Sequence, residues 1–445
     1  MPAEARTDVV VIGAGVAGLA AARRLREHGL TCVVLEARTR IGGRVLSVRD
    51  PRTSVPIELG AEFIHGDAPE LTDIARDAGL TAVEITGERW TAAHGRFTAV
   101  PDFWKRLDRV LGKARKAGGE DRALSALFAE RPGGRRFARD RTLAREFVEG
   151  FHAAELDRIS ERAVAEGGNP GEDPAAQRMA RFVDGYGAVV NWLAQPVLAD
   201  VQCGRVVERV EWEPGRVAVT TSAAGVAEQS HAHAAVITVP VSLLHADARG
   251  AGAIAFDPEV REIREAAALV AMGQVRRIAM LLDRPLLALV DERRRRQLAR
   301  LTFVHGRDVD VPVWWTSFPL RTNLVVGWAG GPAALALAPC DDEDVTTRAV
   351  ASLASLLDLG QRRVARHVVQ CFTHDWSSDP FSRGAYSYPL VGGADAAKRL
   401  ARPVRRTLFF TGEAADEEGR SATVHGAIAS GYRASEQTAR ALATR

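Results

Sequence analysis

An apolar run at residues 8–12 leads into Gly13-Ala14-Gly15-Val16-Ala17-Gly18, and Glu36 closes a second apolar run. The three glycines have separate uses. Gly13 permits a tight turn, Gly15 lets the backbone come close to a pyrophosphate, and Gly18 lets a helix pack on a strand. A helix starting at Val16 then presents unpaired N–H groups and the positive end of its dipole to phosphate. Glu36, 18 residues beyond Gly18, is placed to accept hydrogen bonds from ribose hydroxyls, and an acid there repels a 2′-phosphate. A glycine-rich turn alone serves packing as readily as binding. Strand, turn, helix and acid in this order predict a dinucleotide site that includes Val16, Ala17, Ala37 and Arg38.

A second glycine pair follows in Arg40-Ile41-Gly42-Gly43-Arg44, flanked by two cations. Such a segment suits the far side of a pyrophosphate that the first loop cannot wrap. Near the other end of the chain, Thr411-Gly412-Glu413 closes a strand and suits the ribityl side of a longer cofactor. Both features favour FAD over NAD.

The elements that position these groups are legible in outline. Strand 8–12, helix 16–28 and strand 31–35 make one βαβ unit. Residues 69–192 read as mostly helical, with surface loops at 131–134 and 167–171. Residues 201–221 alternate around Glu213-Pro214-Gly215 as a hairpin, and 234–240, 275–282 and 323–328 read as strands. Residues 341–359 form an amphipathic helix with acids in its first turn. A strand at 407–410 and a helix from 424 onward close the chain and share the domain of the first segment.

At 445 residues the chain exceeds what one core usually serves, so two domains are expected. The hydrophobic share of 46%, the charged share of 26% and a net charge of +3 suit a soluble globular protein with no nucleic-acid or membrane partner. Arg293-Arg294-Arg295-Arg296 follows Asp291 and Glu292 and reads as a solvated helical face. Cys32, Cys203, Cys340 and Cys371 are scattered, with no zinc spacing, so neither a metal nor disulfides are expected. Residues 1–7 do not read as a signal peptide, and no apolar run approaches the roughly 20 residues needed to span a bilayer. A cytoplasmic location is expected.

Residues 9–45 resemble the N-terminal signature of the flavin amine oxidase family, which includes monoamine oxidases, polyamine oxidases and flavin-type lysine demethylases. The segment Glu58-Leu59-Gly60-Ala61-Glu62-Phe63-Ile64-His65-Gly66 is similar to the polyamine oxidase segment that passes beside the flavin. Residues 376–388, and residues 408–413 with 422–427, are similar to the family's second and third signatures. The motifs run in family order and come closest to those of polyamine oxidases.

The resemblance implies a two-domain α/β fold. A Rossmann-type FAD domain from residues 1–78, 195–284 and 372–445 would meet a mixed sheet-plus-helix substrate domain from 79–194 and 285–371. It implies that Gly13, Gly15, Gly18, Glu36, Gly43 and Arg44 hold the ADP and pyrophosphate. Gly60, Ala61, Glu62 and Phe63 would lie along the isoalloxazine, and the backbone of Val207 would meet adenine. Trp376, Gly412, Glu413, Thr423 and Val424 would line the flavin and ribityl chain. Ala385 stands where monoamine oxidases carry the cysteine bonded to flavin, so non-covalent FAD is expected.

For the substrate side, the resemblance implies that Tyr386 and Thr423 occupy the two cage positions and that His65 stands near the amine. His425 reads as structural. The family's lysine near flavin N5 is replaced by Arg277, which keeps the charge but cannot release its proton. The implied reaction is oxidation of a primary or secondary amine, polyamine-like or otherwise. Hydride passes to flavin N5, the imine hydrolyses, and dioxygen reoxidises the flavin to give hydrogen peroxide. The alternatives are a desaturase or dehydrogenase, an amino-acid oxidase, or a flavin-binding protein with weak oxidase activity. An amino-acid substrate would need a carboxylate clamp, for which Arg321 and Arg420 are candidates. A monomer or homodimer is expected.

Overall fold

A computed structural model describes residues 7–114, 120–167, 175–223 and 225–443. Val9, Val10, Val11 and Ile12 are all buried, as a strand covered on both faces requires. Strand Thr7–Ile12 runs parallel to Cys32–Glu36 on one side and to Val226–Ile237 on the other, with helix Val16–Glu27 as the crossover. Val201–Cys203 extends the sheet past Cys32–Glu36, and Leu408–Phe410 pairs in parallel with Val226–Ile237. The closing segment therefore lies beside the opening one. Val226–Ile237 serves two arrangements. Its first half continues the antiparallel hairpin of Val206–Glu213 and Arg216–Ala223, and its second half joins the parallel core.

Helix Val424–Ala443 packs on Val16–Glu27. A Cβ on Gly431 would stand 2.4 Å from the Ala17 carbonyl oxygen, so glycine lets the two backbones touch. Helix Tyr186–Ala194 joins this core, although the sequence placed it in the substrate part. Tyr186, Val189, Val190, Leu193 and Ala194 are buried, and the helix carries no charge with which to face water.

A second sheet runs in the order Val368–Thr373, Val275–Leu282, Leu324–Gly330, Val313–Thr316, Leu301–Gly306, Glu88–Ala93, Arg96–Ala99. Two expectations change here. Strand Val275–Leu282, assigned from sequence to the first domain, pairs inside this sheet because every one of its residues is buried and needs cover on both edges and faces. The stretch around residues 82–99, read as helical, forms strands Ala82–Glu84, Glu88–Ala93 and Arg96–Ala99. His94 at φ +45° and Gly95 at φ +70° make the tight turn between the last two. Helices Phe103–Leu111 and Ala138–Phe151 pack together through Leu107, Val110, Leu143 and Val148.

Residues 131–133 form a loop as expected, and Gly134 already opens the short helix Gly134–Phe137, whereas positions 168–171 of the second expected loop lie outside the described residues. Asp291 caps helix Glu292–Gln297, which buries none of its residues. The cysteines are unpaired. Among the described residues, no helix is long and apolar enough to cross a membrane, and no His, Cys, Asp or Glu cluster could hold a metal ion.

Candidate active site

A cavity of about 1030 Å³ draws its walls from both sheets and from the helices at residues 103–151. It runs from the first glycine turn to a chamber of aromatic rings. Apart from Gly18, Arg40 and Thr411, the residues that the sequence singled out for cofactor or catalysis line it. Gly18 acts in packing: a Cβ there would lie 1.9 Å from the Gly13 carbonyl oxygen. Gly13 has φ +106°, a conformation that favours glycine. A Cβ on Gly15 would meet only the Gly43 Cα, at 3.9 Å, so the space before the helix N-terminus is open. The Gly42 N–H donates to the Ala14 carbonyl at 2.8 Å and joins the two glycine segments.

Of the two cations beside Gly42-Gly43, only Arg44 lines the cavity. Arg40 donates instead to the carbonyls of Ile41 and Val45. Arg44 donates to Glu413 Oε1 at 2.8 Å and to the Ala385 carbonyl at 3.0 Å. Glu413 also accepts from the Ser387 hydroxyl at 2.6 Å and the Ala422 N–H at 3.0 Å. The Glu36 oxygens accept from the Ala14 and Arg38 N–H groups, each at 2.8 Å. A carboxylate oxygen has two lone pairs, so capacity for ribose hydroxyls remains. Trp376 is fixed by donation from its indole to the Leu59 carbonyl at 2.9 Å. Open glycines, a helix N-terminus, a buried acid and Arg44 fit the diphosphate and ribose of FAD.

Tyr386 stacks on Trp328 with centroids 6.4 Å apart and planes 16° from parallel, and its hydroxyl donates to the Phe151 carbonyl at 2.6 Å. Phe63 packs against Trp315 at 5.4 Å and Phe303 at 5.8 Å. His65 sits edge-on to Phe151 at 5.3 Å and to Phe63 at 6.0 Å. Burial pushes the His65 imidazole down to about 4, with help from His425 and the Arg89 charge. It is neutral at pH 7, and no protein hydrogen bond to its ring occurs among the described residues. Such a ring can hydrogen-bond to an amine that enters.

Thr423 has a structural task as well. Its hydroxyl donates to the Arg420 carbonyl at 2.6 Å and accepts from the Gly426 N–H at 3.0 Å, so it caps helix Val424–Ala443 while standing on the cavity wall. The ring facing Tyr386 is Trp328. His425 is buried, and desolvation pushes it down to about 4.

Arg277 is buried and donates to Glu62 and, at 3.3 Å, to the Gly60 carbonyl. Glu62 also receives Arg181 at 2.8 Å and the Trp315 indole at 3.0 Å. Burial alone would raise the Glu62 carboxyl, but Arg277, Arg181 and these donors outweigh it and hold it below the usual range. Glu62, expected along the cofactor, is engaged by two guanidiniums because two buried cations require an anion between them.

Of the expected carboxylate clamps, Arg321 lies outside the cavity wall, and Arg420 is paired with Glu70, Asp416 and Glu418. Sequence reasoning missed Arg89, Arg181, Trp315 and Trp328. The alternation of Glu88-Arg89-Trp90-Thr91-Ala92, with His94-Gly95 after it, was the available signal for Arg89. Nothing in the sequence announced the other three.

The fold matches that of putrescine oxidase bound to putrescine, with a TM-score of 0.79 at 21% identity over 99% of this chain and 100% of that one. It equally matches cyclohexylamine oxidase from Brevibacterium oxydans IH-35A, with a TM-score of 0.79 at 19% identity over the same shares. By sequence the chain is 28% identical to Polyamine oxidase 2 of Arabidopsis thaliana over 96% of its length and 87% of the relative's. It is 27% identical to Polyamine oxidase 4 of Oryza sativa subsp. japonica, over 97% and 88%. The family model for flavin containing amine oxidoreductases matches residues 16–439. The protein belongs to that family, and its cofactor is FAD.

Proposed function

We propose that the protein oxidises a primary or secondary amine in the aromatic chamber, with release of an imine that hydrolyses and with dioxygen as final acceptor, giving hydrogen peroxide. The observation that carries this is the neutral, unpartnered His65 set among Phe63, Phe151 and the Tyr386–Trp328 pair, inside the cavity that also holds the FAD-fitting residues. Bound FAD supplies a two-electron acceptor for hydride from the carbon beside nitrogen.

The chain's own groups do the rest. The rings exclude water, which favours the neutral amine that can give up hydride. His65 accepts a hydrogen bond from the amine, and the Tyr386 ring, held by Phe151 and Trp328, forms a wall of the chamber. Arg277 cannot shuttle a proton, and its charge is shared with Glu62. It orients groups near Gly60. Ala385 offers no nucleophile, so FAD is held non-covalently. We place the enzyme in the cytoplasm, where unpaired thiols persist, as a monomer or homodimer.

The test is a panel of amines added without oxygen to the FAD-loaded protein, followed by an oxygen and peroxide assay. At least one amine should bleach the flavin band, and peroxide should match the oxygen used. No bleaching by any amine would overturn the reading. Bleaching without peroxide would make the protein a dehydrogenase.

A further inference from the structure

The second sheet turns one cation into the cavity that the reaction outlined above does not use. Arg89, on strand Glu88–Ala93, lies opposite Phe303 in the register with Leu301–Gly306, and both line the cavity. Its guanidinium stands 4.3 Å from the Phe303 ring centroid, 4.5 Å from Phe103 and 5.6 Å from Trp104. Its protein hydrogen bond among the described residues goes to the Met179 sulfur, at 3.3 Å. No carboxylate pairs with it among the described residues. Burial without an acid beside it pushes Arg89 down to about 10, still charged at neutral pH.

That arrangement is costly unless something compensates it. A guanidinium has five N–H donors, and a thioether is a weak acceptor. Aromatic faces recover part of the lost hydration, about 0.5–2 kcal/mol for a cation over a ring. The remaining donors have no oxygen partner among the described residues and open on the cavity, where a ligand oxygen can meet them. The other basic groups nearby are neutral: His65 is held at about 4 and His305 at about 3 by burial, with Arg89's own charge contributing to both. His305 Nε2 is buried without a partner. Two acids of the cavity wall have cations of their own: Glu62 pairs with Arg277 and Arg181, and Glu146 pairs through one oxygen with Arg307 at 3.3 Å. The aromatic chamber therefore carries an uncompensated positive charge, which suits an anion and opposes a polycation.

We propose that the amine substrate also carries a carboxylate, which Arg89 receives at the far side of the aromatic chamber. Phe303 touches both Phe63 and Arg89, while Trp315 touches both Phe63 and Arg277. The carboxylate site and the Arg277 side thus flank one aromatic wall. The body between amine and carboxylate is apolar, as the lining rings require. Neither Arg321 nor Arg420 is needed. This inference rests on the amine-oxidation reading, and it separates the chain from relatives named for polyamines.

The test uses the FAD-loaded protein and two probes of equal shape, 3-phenylpropionate and 3-phenylpropanamide, titrated by calorimetry. The carboxylate should bind at least about tenfold tighter than the amide, as expected when a charged partner completes a buried cation. Arg89→Gln should bring the two within about threefold, and Arg89→Lys should keep part of the preference. Equal binding of the probes to the unmodified protein overturns the proposal, whether or not the variants fold. So does a preference that survives in Arg89→Gln. A second arm compares kcat/KM for an arylalkylamine with and without a distal carboxylate. A carboxylate preference in binding together with no flavin bleaching by any amine would sink the oxidase reading, leaving an anion site. Bleaching by amines with no preference in either arm would sink the Arg89 proposal alone.

Discussion

Arg277 and Glu62 form an ion pair inside the protein, and Arg181 shares the same carboxylate at 2.8 Å. The replacement of a titratable lysine by Arg277 is therefore matched by a fixed counter-charge. Glu62→Gln would leave two buried guanidiniums facing each other across a neutral amide. We expect a loss of about 3–5 kcal/mol in urea unfolding, the usual cost of breaking a buried pair. Arg181→Gln, which leaves Glu62 with Arg277, should cost less. An unchanged unfolding midpoint for Glu62→Gln would show that the two cations find another anion.

The glycine turn separates packing from binding. Gly18→Ala places a Cβ 1.9 Å from the Gly13 carbonyl oxygen and must push the helix off the strand, so both the melting temperature and FAD content should fall. Gly15→Ala meets only the Gly43 Cα, at 3.9 Å. Its apo-protein should melt near the parent's temperature yet purify colourless. A yellow Gly15→Ala protein with parental affinity for FAD would contradict close approach of the pyrophosphate to this backbone.

Thr423 gives a similar contrast between structure and chemistry. Removing the cap with Thr423→Ala should cost about 1 kcal/mol of stability, and Thr423→Ser should cost little. Because the hydroxyl is already committed to Arg420 and Gly426, KM should barely move in the serine variant. A large KM change in Thr423→Ser would mean that the side chain meets substrate as well.

The readable parts of the chain were those where local geometry forces residue type. Gly13 needs its positive φ, Gly18 its missing Cβ, and Glu36 its place at a strand end, so spacing alone exposed them. The aromatic chamber was not readable in this way. Phe303, Trp315 and Trp328 come together through the register of the antiparallel strands Leu301–Gly306, Val313–Thr316 and Leu324–Gly330, Phe63 joins them from a loop distant in sequence, and no local pattern encodes that meeting. Strand Val275–Leu282 was legible as a strand but not as to its sheet, since a largely apolar strand buried on both faces fits either core. Arg89 lay in a stretch read as helix, which hid both its strand and its direction. Arg277 was identifiable because it breaks a family pattern; its pairing with Glu62 was not, because ion pairs leave no spacing rule between distant segments.

Stability should respond to pH in two opposite directions. His65, His152, His305 and His425 are pushed by burial from 6.5 to about 4, 4, 3 and 4. Between pH 6.5 and 4 the unfolded chain takes up protons that the folded chain refuses, so stability falls as pH falls. Each proton so taken up contributes about 1.4 kcal/mol per pH unit. Glu58 is pushed up from 4.5 to about 7, first by burial, against hydrogen bonds from Ser47 and Tyr186. The folded chain keeps that proton after the unfolded chain has lost it, so this contribution falls as pH rises from 4.5 to 7. Glu58→Gln should therefore stabilise at pH 8 relative to the parent and make little difference at pH 4. Urea unfolding of both proteins across this range checks the sign, and a constant difference at all pH values would place the Glu58 carboxyl in its ordinary range.

His65 also fixes what the pH profile of turnover should look like. With its imidazole held at about 4, it does not titrate where the enzyme is assayed, so it cannot supply the acid limb of kcat/KM. That limb belongs to the amine, which must be neutral to give up hydride, and it should move with the amine's own pKa. Two substrates whose amines differ in basicity should show limbs displaced by that difference. His65→Asn removes the imidazole's hydrogen bond to the amine. It should lower kcat/KM by about tenfold, the worth of one good hydrogen bond, and leave each limb where it was. A limb that stays at one pH for both amines and disappears in His65→Asn would mean that the histidine itself ionises near neutrality. The chamber would then be wetter than its ring of Phe63, Phe151, Trp328 and Tyr386 requires.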